Sequence, residues 1–133
     1  MDIDGQCHCG RISFVATIDP MRVGVCHCTD CQTFSSSAFR VSVPSRRADV
    51  RITGTPKVYA KTADSGAVRW QHFCPDCGTP VFTSGTDAEA GDLVIRWGSI
   101  RQRAQLTPAR QIWCQSALPW LGQLEQVPGT PAM

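Results

Sequence analysis

Eight cysteines stand at positions 7, 9, 26, 28, 31, 74, 77 and 114, grouped as C-x-C, C-x-C-x-x-C, C-x-x-C and a single residue. Two cysteines one or two residues apart can grip one metal ion, because a tight turn brings both sulfurs to the roughly 2.3 Å of a zinc–sulfur bond. Gly10 after Cys9 and Gly78 after Cys77 suit such turns, and backbone N–H groups there are placed to bond thiolate sulfur. Thiolates select zinc, copper(I) or iron–sulfur clusters over hard cations, and zinc is the commonest occupant of separated knuckles. The chemistry on offer is therefore that of a zinc–thiolate centre.

Seven clustered cysteines divide naturally into four and three. A closed four-ligand site is structural, whereas three protein ligands and an open position are the pattern of catalytic zinc. Spacing alone does not settle which knuckles share an ion. Cys26, Cys28 and Cys31 could fill three positions by themselves, leaving Cys7 and Cys9 to join Cys74 and Cys77 across the fold. His8 and His27 each lie between two of these cysteines, so on extended backbone their rings point away from the metal. His72 shares a face with Cys74 but reads as a half-exposed strand residue. Cys114, in the apolar run QIWCQS, reads as small buried packing and is the residue that could close the second site as a fourth ligand.

Short strands must position these groups. The runs 12–18, 23–28, 39–43, 50–53, 57–61, 68–73, 80–83, 92–97 and 111–115 are rich in β-branched or aromatic residues and bounded by Gly, Pro, Asp or Ser. No stripe at helical spacing persists over three turns, so the expectation is a mainly β domain of antiparallel sheets. Short helical turns are expected after Cys28 and around 101–106. One domain over residues 1–133 suits the length, and about 122–133, with its prolines, is expected to be a loosely ordered tail after Trp120 and Leu121 dock.

The formal net charge is +2, and seven thiolates with two divalent ions would shift it by −3, to about −1. Neither value argues for nucleic acid, nor is there a basic stripe with interleaved aromatics; Arg46, Arg47 and Arg51 read as a solvated loop and strand edge. No apolar run reaches the roughly 20 residues that cross a bilayer. The polar start MDIDGQCHCG is not a signal peptide, so a cytoplasmic location is expected, where cysteines serve metals more often than disulfides.

Taken together, GQCHCG (5–10), VCHCTDC (25–31) followed by SSSAF (35–39), FCPDCGTPVF (73–82) and QIWCQSALPW (111–120) resemble the glutathione-dependent formaldehyde-activating enzyme family, which includes the centromere protein V group. The resemblance implies a zinc-stabilised β-tent fold. It implies a structural zinc on Cys7, Cys9, Cys74 and Cys77 and a catalytic zinc on Cys26, Cys28 and Cys31. It further implies a carbon–sulfur lyase-type reaction joining glutathione to formaldehyde as S-(hydroxymethyl)glutathione. The chain departs from the family pattern at Ser36, where glycine is usual, at Ser99-Ile100-Arg101-Gln102, where a Leu-Asp-Asp run is frequent, and at Gln111, where histidine is common.

An open three-thiolate zinc suits that reaction, because a thiol is mostly protonated near neutral pH while the thiolate is the nucleophile. Arg40, close after the triple, is the first candidate to hold a glutathione carboxylate, set against an exposed strand position. The rivals are the same chemistry on another thiol or electrophile, and a non-catalytic zinc module for a protein partner. Oligomeric state is left open.

Overall fold

The computed structural model describes residues 1–86 and 90–133. Among the described residues, ten strands form two sheets. Strands β1 (Asp2–Gln6), β2 (Ser13–Thr17) and β5 (Val50–Thr53) make a three-stranded antiparallel sheet in the order β1-β2-β5. The larger sheet contains β3 (Gly24–Cys26), β4 (Arg40–Arg46), β6 (Lys57–Thr62), β7 (Val68–Phe73), β8 (Pro80–Ser84), β9 (Asp92–Arg96) and β10 (Arg110–Ile112). Its order is β10-β3-β4-β9-β8-β7-β6. Every pairing in it is antiparallel except that of β10 with β3, which runs parallel along the edge.

Period-two alternation explains which faces are buried. In β1 and β2 the buried positions are Ile3 and Gly5, and Phe14 and Ala16, all facing the large sheet. Phe14 meets Phe82 of β8 edge to face, ring centroids 5.2 Å apart, and this contact joins the sheets. Ile12, Val23, Val43, Val81, Leu93, Ile95 and Ile100 fill the rest of the core.

Each of the nine expected runs overlaps a strand, while β1 was not anticipated. The one α-helix among the described residues, α1 (Thr29–Ser35), starts where a helical turn was expected, directly after Cys28. Residues 103–105 form a 3-10 turn, inside the second segment read as helical. Beyond residue 116 the chain makes 3-10 turns over Pro119–Gln126, with Trp120 about half exposed and Leu121 partly covered. No helix among the described residues is long and apolar enough to cross a membrane.

Candidate metal centres and the cavity beside them

The fold brings Cys7, Cys9, Cys74 and Cys77 together, their sulfurs all within 4.8 Å of one another. The Cys7–Cys9 and Cys9–Cys74 sulfur distances are 3.6 and 3.7 Å. Those values match the ~3.8 Å edge of a tetrahedron with ~2.3 Å zinc–sulfur bonds. Two turns make the cradle. Gly10 (φ +80°) and Gly78 (φ +73°) take the left-handed backbone that lets each knuckle reverse. Their N–H groups close the turns on the Cys7 and Cys74 carbonyls, at 3.0 and 2.9 Å, while the backbone N–H groups that bond sulfur, as expected of these knuckles, come from neighbouring residues. The sulfurs receive other donors: Ile12 N–H bonds Cys7 Sγ at 3.2 Å, and Thr79 Oγ1 lies 3.2 Å from Cys77 Sγ. The Thr79 hydroxyl and backbone bonds hold the Cys77 thiol down at about 5.

Cys26, Cys28 and Cys31 form a second set, again with sulfurs within 4.8 Å of one another. Local structure positions them. Cys26 ends β3, Cys28 caps the N-terminus of α1 by accepting the Cys31 N–H at 3.3 Å, and Cys31 lies in the first turn of that helix. Burial, then the charge of Cys26, pushes the Cys31 thiol up to about 12, and burial also raises Cys26. Burial opposes ionisation of Cys28 too, but the Cys31 N–H and the neighbouring thiols outweigh it and lower Cys28. One thiol of such a set ionises readily and the others resist, so three thiolates require a cation. Both sets, by spacing and donor type, can hold a soft metal ion.

The remaining candidates fall elsewhere. Cys114 is exposed and belongs to neither sulfur group, which overturns its reading as buried packing. The physical reason is local: Trp113 adopts φ +57°, leaves edge strand β10, and turns Cys114 outward into a 3-10 turn. His8 is exposed. His27 is buried, its Nε2 2.8 Å from Gln111 Oε1 and its ring edge-on to Phe39. His72, half-buried in β7, places Nε2 2.9 Å from Ser84 Oγ.

Arg40 is neither exposed nor free. It is 5% exposed, pairs across strands with Cys26, and donates to Gln71 Oε1 at 2.9 Å. Its guanidinium also lies over the Phe34 ring, 5.4 Å from the centroid. Burial lowers its pKa, opposed by the charges of Cys31, Cys26 and Cys28, so it faces the triple. The sequence reading missed its neighbours. Thr83 Oγ1 donates to the same Gln71 oxygen at 3.0 Å, and Arg96 donates to Thr83 Oγ1 and, at 2.8 Å, to Ser42 Oγ. Polar residues at inward positions of β7, β8 and β9 were the available signal. Burial and then Arg40 hold Arg96 down at about 9.

A cavity of about 1000 Å³ opens beside this network. Arg40, Arg96, Arg101 and Arg103 line it with Phe39 and Trp97, and Cys7 lies in its wall, while none of the three cysteines of the triple does. Arg40 is therefore the link between cavity and triple.

The chain is 24% identical over 96 residues to an uncharacterized lyase of Schizosaccharomyces pombe, spanning 72% of this chain and 67% of that protein. Its fold matches a crystal structure of a Rhodobacter sphaeroides protein with TM-score 0.60 at 16% identity, covering 81% of this chain and 98% of the other. Residues 2–116 match the family model for the glutathione-dependent formaldehyde-activating enzyme, and on that extent of match the chain belongs to this family.

Proposed function

We propose that this chain is a zinc-dependent carbon–sulfur lyase-type enzyme that joins a glutathione-like thiol to a small aldehyde, formaldehyde being the family's own. The observation that carries the reading is the inequality of the two cysteine sets: four sulfurs in one, three in the other, with no fourth His, Cys, Asp or Glu joining the triple among the described residues. In this reading Cys7, Cys9, Cys74 and Cys77 hold a structural zinc, and Cys26, Cys28 and Cys31 hold the second. Bound there, zinc supplies a centre that favours the thiolate form of an incoming thiol. The chain's own residues do the rest. The Cys31 N–H and the cap of α1 fix Cys28. Arg40 offsets the negative charge of three thiolates from a buried position. The arginine-lined cavity draws anionic substrates toward the triple. We take residues 1–133 as one zinc-binding domain with 122–133 as its tail, acting in the cytoplasm.

Cobalt substitution tests the reading. Two metals per chain are expected, and glutathione should change the visible spectrum of one of them. Retention of both metals with no spectral response to any small thiol would favour a non-catalytic zinc module that binds a protein partner.

A further inference from the structure

Two guanidiniums lie buried beside the triple with no carboxylate to neutralise them. Arg40 and Arg96 are 5% and 8% exposed, and neither forms an ion pair among the described residues. Their donors go to the neutral oxygens of Gln71, Thr83 and Ser42 and, from Arg40, to the Cys31 sulfur, and Arg96 Nε is buried with no partner. Both feel the charges of Cys31 and Cys26, and Arg96 also feels that of Arg40. Three thiolates and one divalent ion leave a single negative charge, against the two positive charges of the arginines. One buried positive charge is left without a counter-ion, a costly state unless an anion completes it. The residues lining the cavity include no Asp or Glu to do so.

We infer, resting on the zinc–thiol reading above, that the Arg40–Arg96 pair seats the carboxylate of the electrophile, so that the preferred substrate is a carboxylate-bearing aldehyde, of which glyoxylate is the smallest. Proximity decides which substrate supplies the anion. Arg40 is the strand partner of Cys26 and bonds Cys31, so a carboxylate seated on this pair favours a substrate whose reacting carbon lies close to that carboxylate. In glyoxylate the aldehyde carbon is bonded directly to the carboxylate. The carboxylates of glutathione lie several bonds from its sulfur and need cations farther out. Arg101, largely exposed and paired with Asp4 at 2.7 Å, and Arg103 line the same cavity and suit that role. Formaldehyde, without charge, has no use for a buried guanidinium pair. The step balances without a redox partner. A sulfur lone pair forms the carbon–sulfur bond, the carbonyl π pair moves to oxygen, and the thiol proton ends on that oxygen, giving a hemithioacetal carboxylate.

Titration calorimetry of the zinc-loaded full chain tests this with glyoxylate, acetaldehyde as the uncharged control, and glutathione. Wild type is expected to bind glyoxylate about tenfold or more tightly than acetaldehyde, as a charge-assisted bidentate contact implies. Arg96→Lys, checked for a native circular dichroism spectrum, should lose about tenfold for glyoxylate and little for glutathione. Arg101→Ala should do the reverse. Equal binding of the two aldehydes by wild type overturns the proposal, and that arm decides even if the Arg96 variant fails to fold. Collapse of glutathione affinity in Arg96→Lys with glyoxylate unaffected makes the pair a thiol-substrate seat: the proposal falls and the zinc–thiol reading stands. If wild type binds glyoxylate but no thiol, the pair keeps its assignment and the zinc–thiol reading fails.

Discussion

At the residue scale, the cysteines are not equivalent, and single substitutions should separate them. Cys74 is fully buried, and its sulfur meets that of Cys9 across 65 residues of chain. A metal bridging so long a span converts its binding free energy into folding free energy. Cys74→Ser should therefore give insoluble or molten protein. Cys28 sits in a set clipped within one short segment, so Cys28→Ser should lose one metal while the fold survives. Cys114 is exposed and outside both sets, so Cys114→Ser should keep both metals and change stability by less than about 0.5 kcal/mol. Metal content by atomic emission and thermal melting of the three variants check the order; a Cys28 variant that unfolds as badly as the Cys74 one would make the second metal structural. The grouping was legible in advance because thiols at one- and two-residue spacing have few other uses. Arg40 was legible only as a candidate near the triple. Its burial depends on Gln71, Thr83 and Arg96, which arrive from three other strands; their polar inward positions mark a polar patch, but nothing local to any one strand says that they meet Arg40.

At the scale of the elements, strands rich in β-branched and aromatic residues could be read directly, whereas β1 could not. Its sequence DIDGQ carries two acids and a glycine, and only Ile3 argues for a strand. The structure supplies the missing reason. A Cβ at Gly5 would collide with the Ser99 carbonyl and stand 2.5 Å from Phe14 Cζ, so the strand is glycine-bearing because another backbone crosses it there. The edge strand β10 overlaps the run read as a strand at 111–115, but its parallel pairing with β3 was not legible: its three residues are all exposed, leaving no alternation to fix a face or a partner. The C-terminus of α1 offers a test of local strain. Ser36 caps it at φ +49° and ψ +39°, its N–H bonding the Gln32 and Thr33 carbonyls. A left-handed cap is cheapest for glycine. Ser36→Gly should stabilise the zinc-loaded protein by about 0.5–1 kcal/mol, read as a rise in the urea midpoint with unchanged slope. No change, or a loss, would mean that the serine side chain contributes more than its backbone strain costs.

For the whole molecule, the two centres couple charge to metal content in a way that bulk measurement can see. A chain of 133 residues with a formal charge of +2 and an isoelectric point near 8.2 is mildly basic when its thiols are protonated. Loading both sets as thiolates removes seven protons and adds two divalent ions, a shift of −3 that brings the protein to about −1. The shift concerns the entire surface potential, since no compensating charge need enter with the metals. Native isoelectric focusing should thus place the fully loaded protein on the acidic side of neutrality. Mild chelation should then remove the ion of the triple first. Re-protonating three thiols and losing one divalent ion returns one positive charge, to a discrete intermediate band. Complete removal should restore the basic band together with loss of cooperative melting, because the four-sulfur site ties the β1–β2 connection to the β7–β8 connection. Three bands resolved by chelation, the middle one still folded, are the signature of one structural and one exchangeable metal. A direct passage from loaded to unfolded protein with no intermediate would show that both ions hold the fold, and the division between the two cysteine sets would then have to be abandoned.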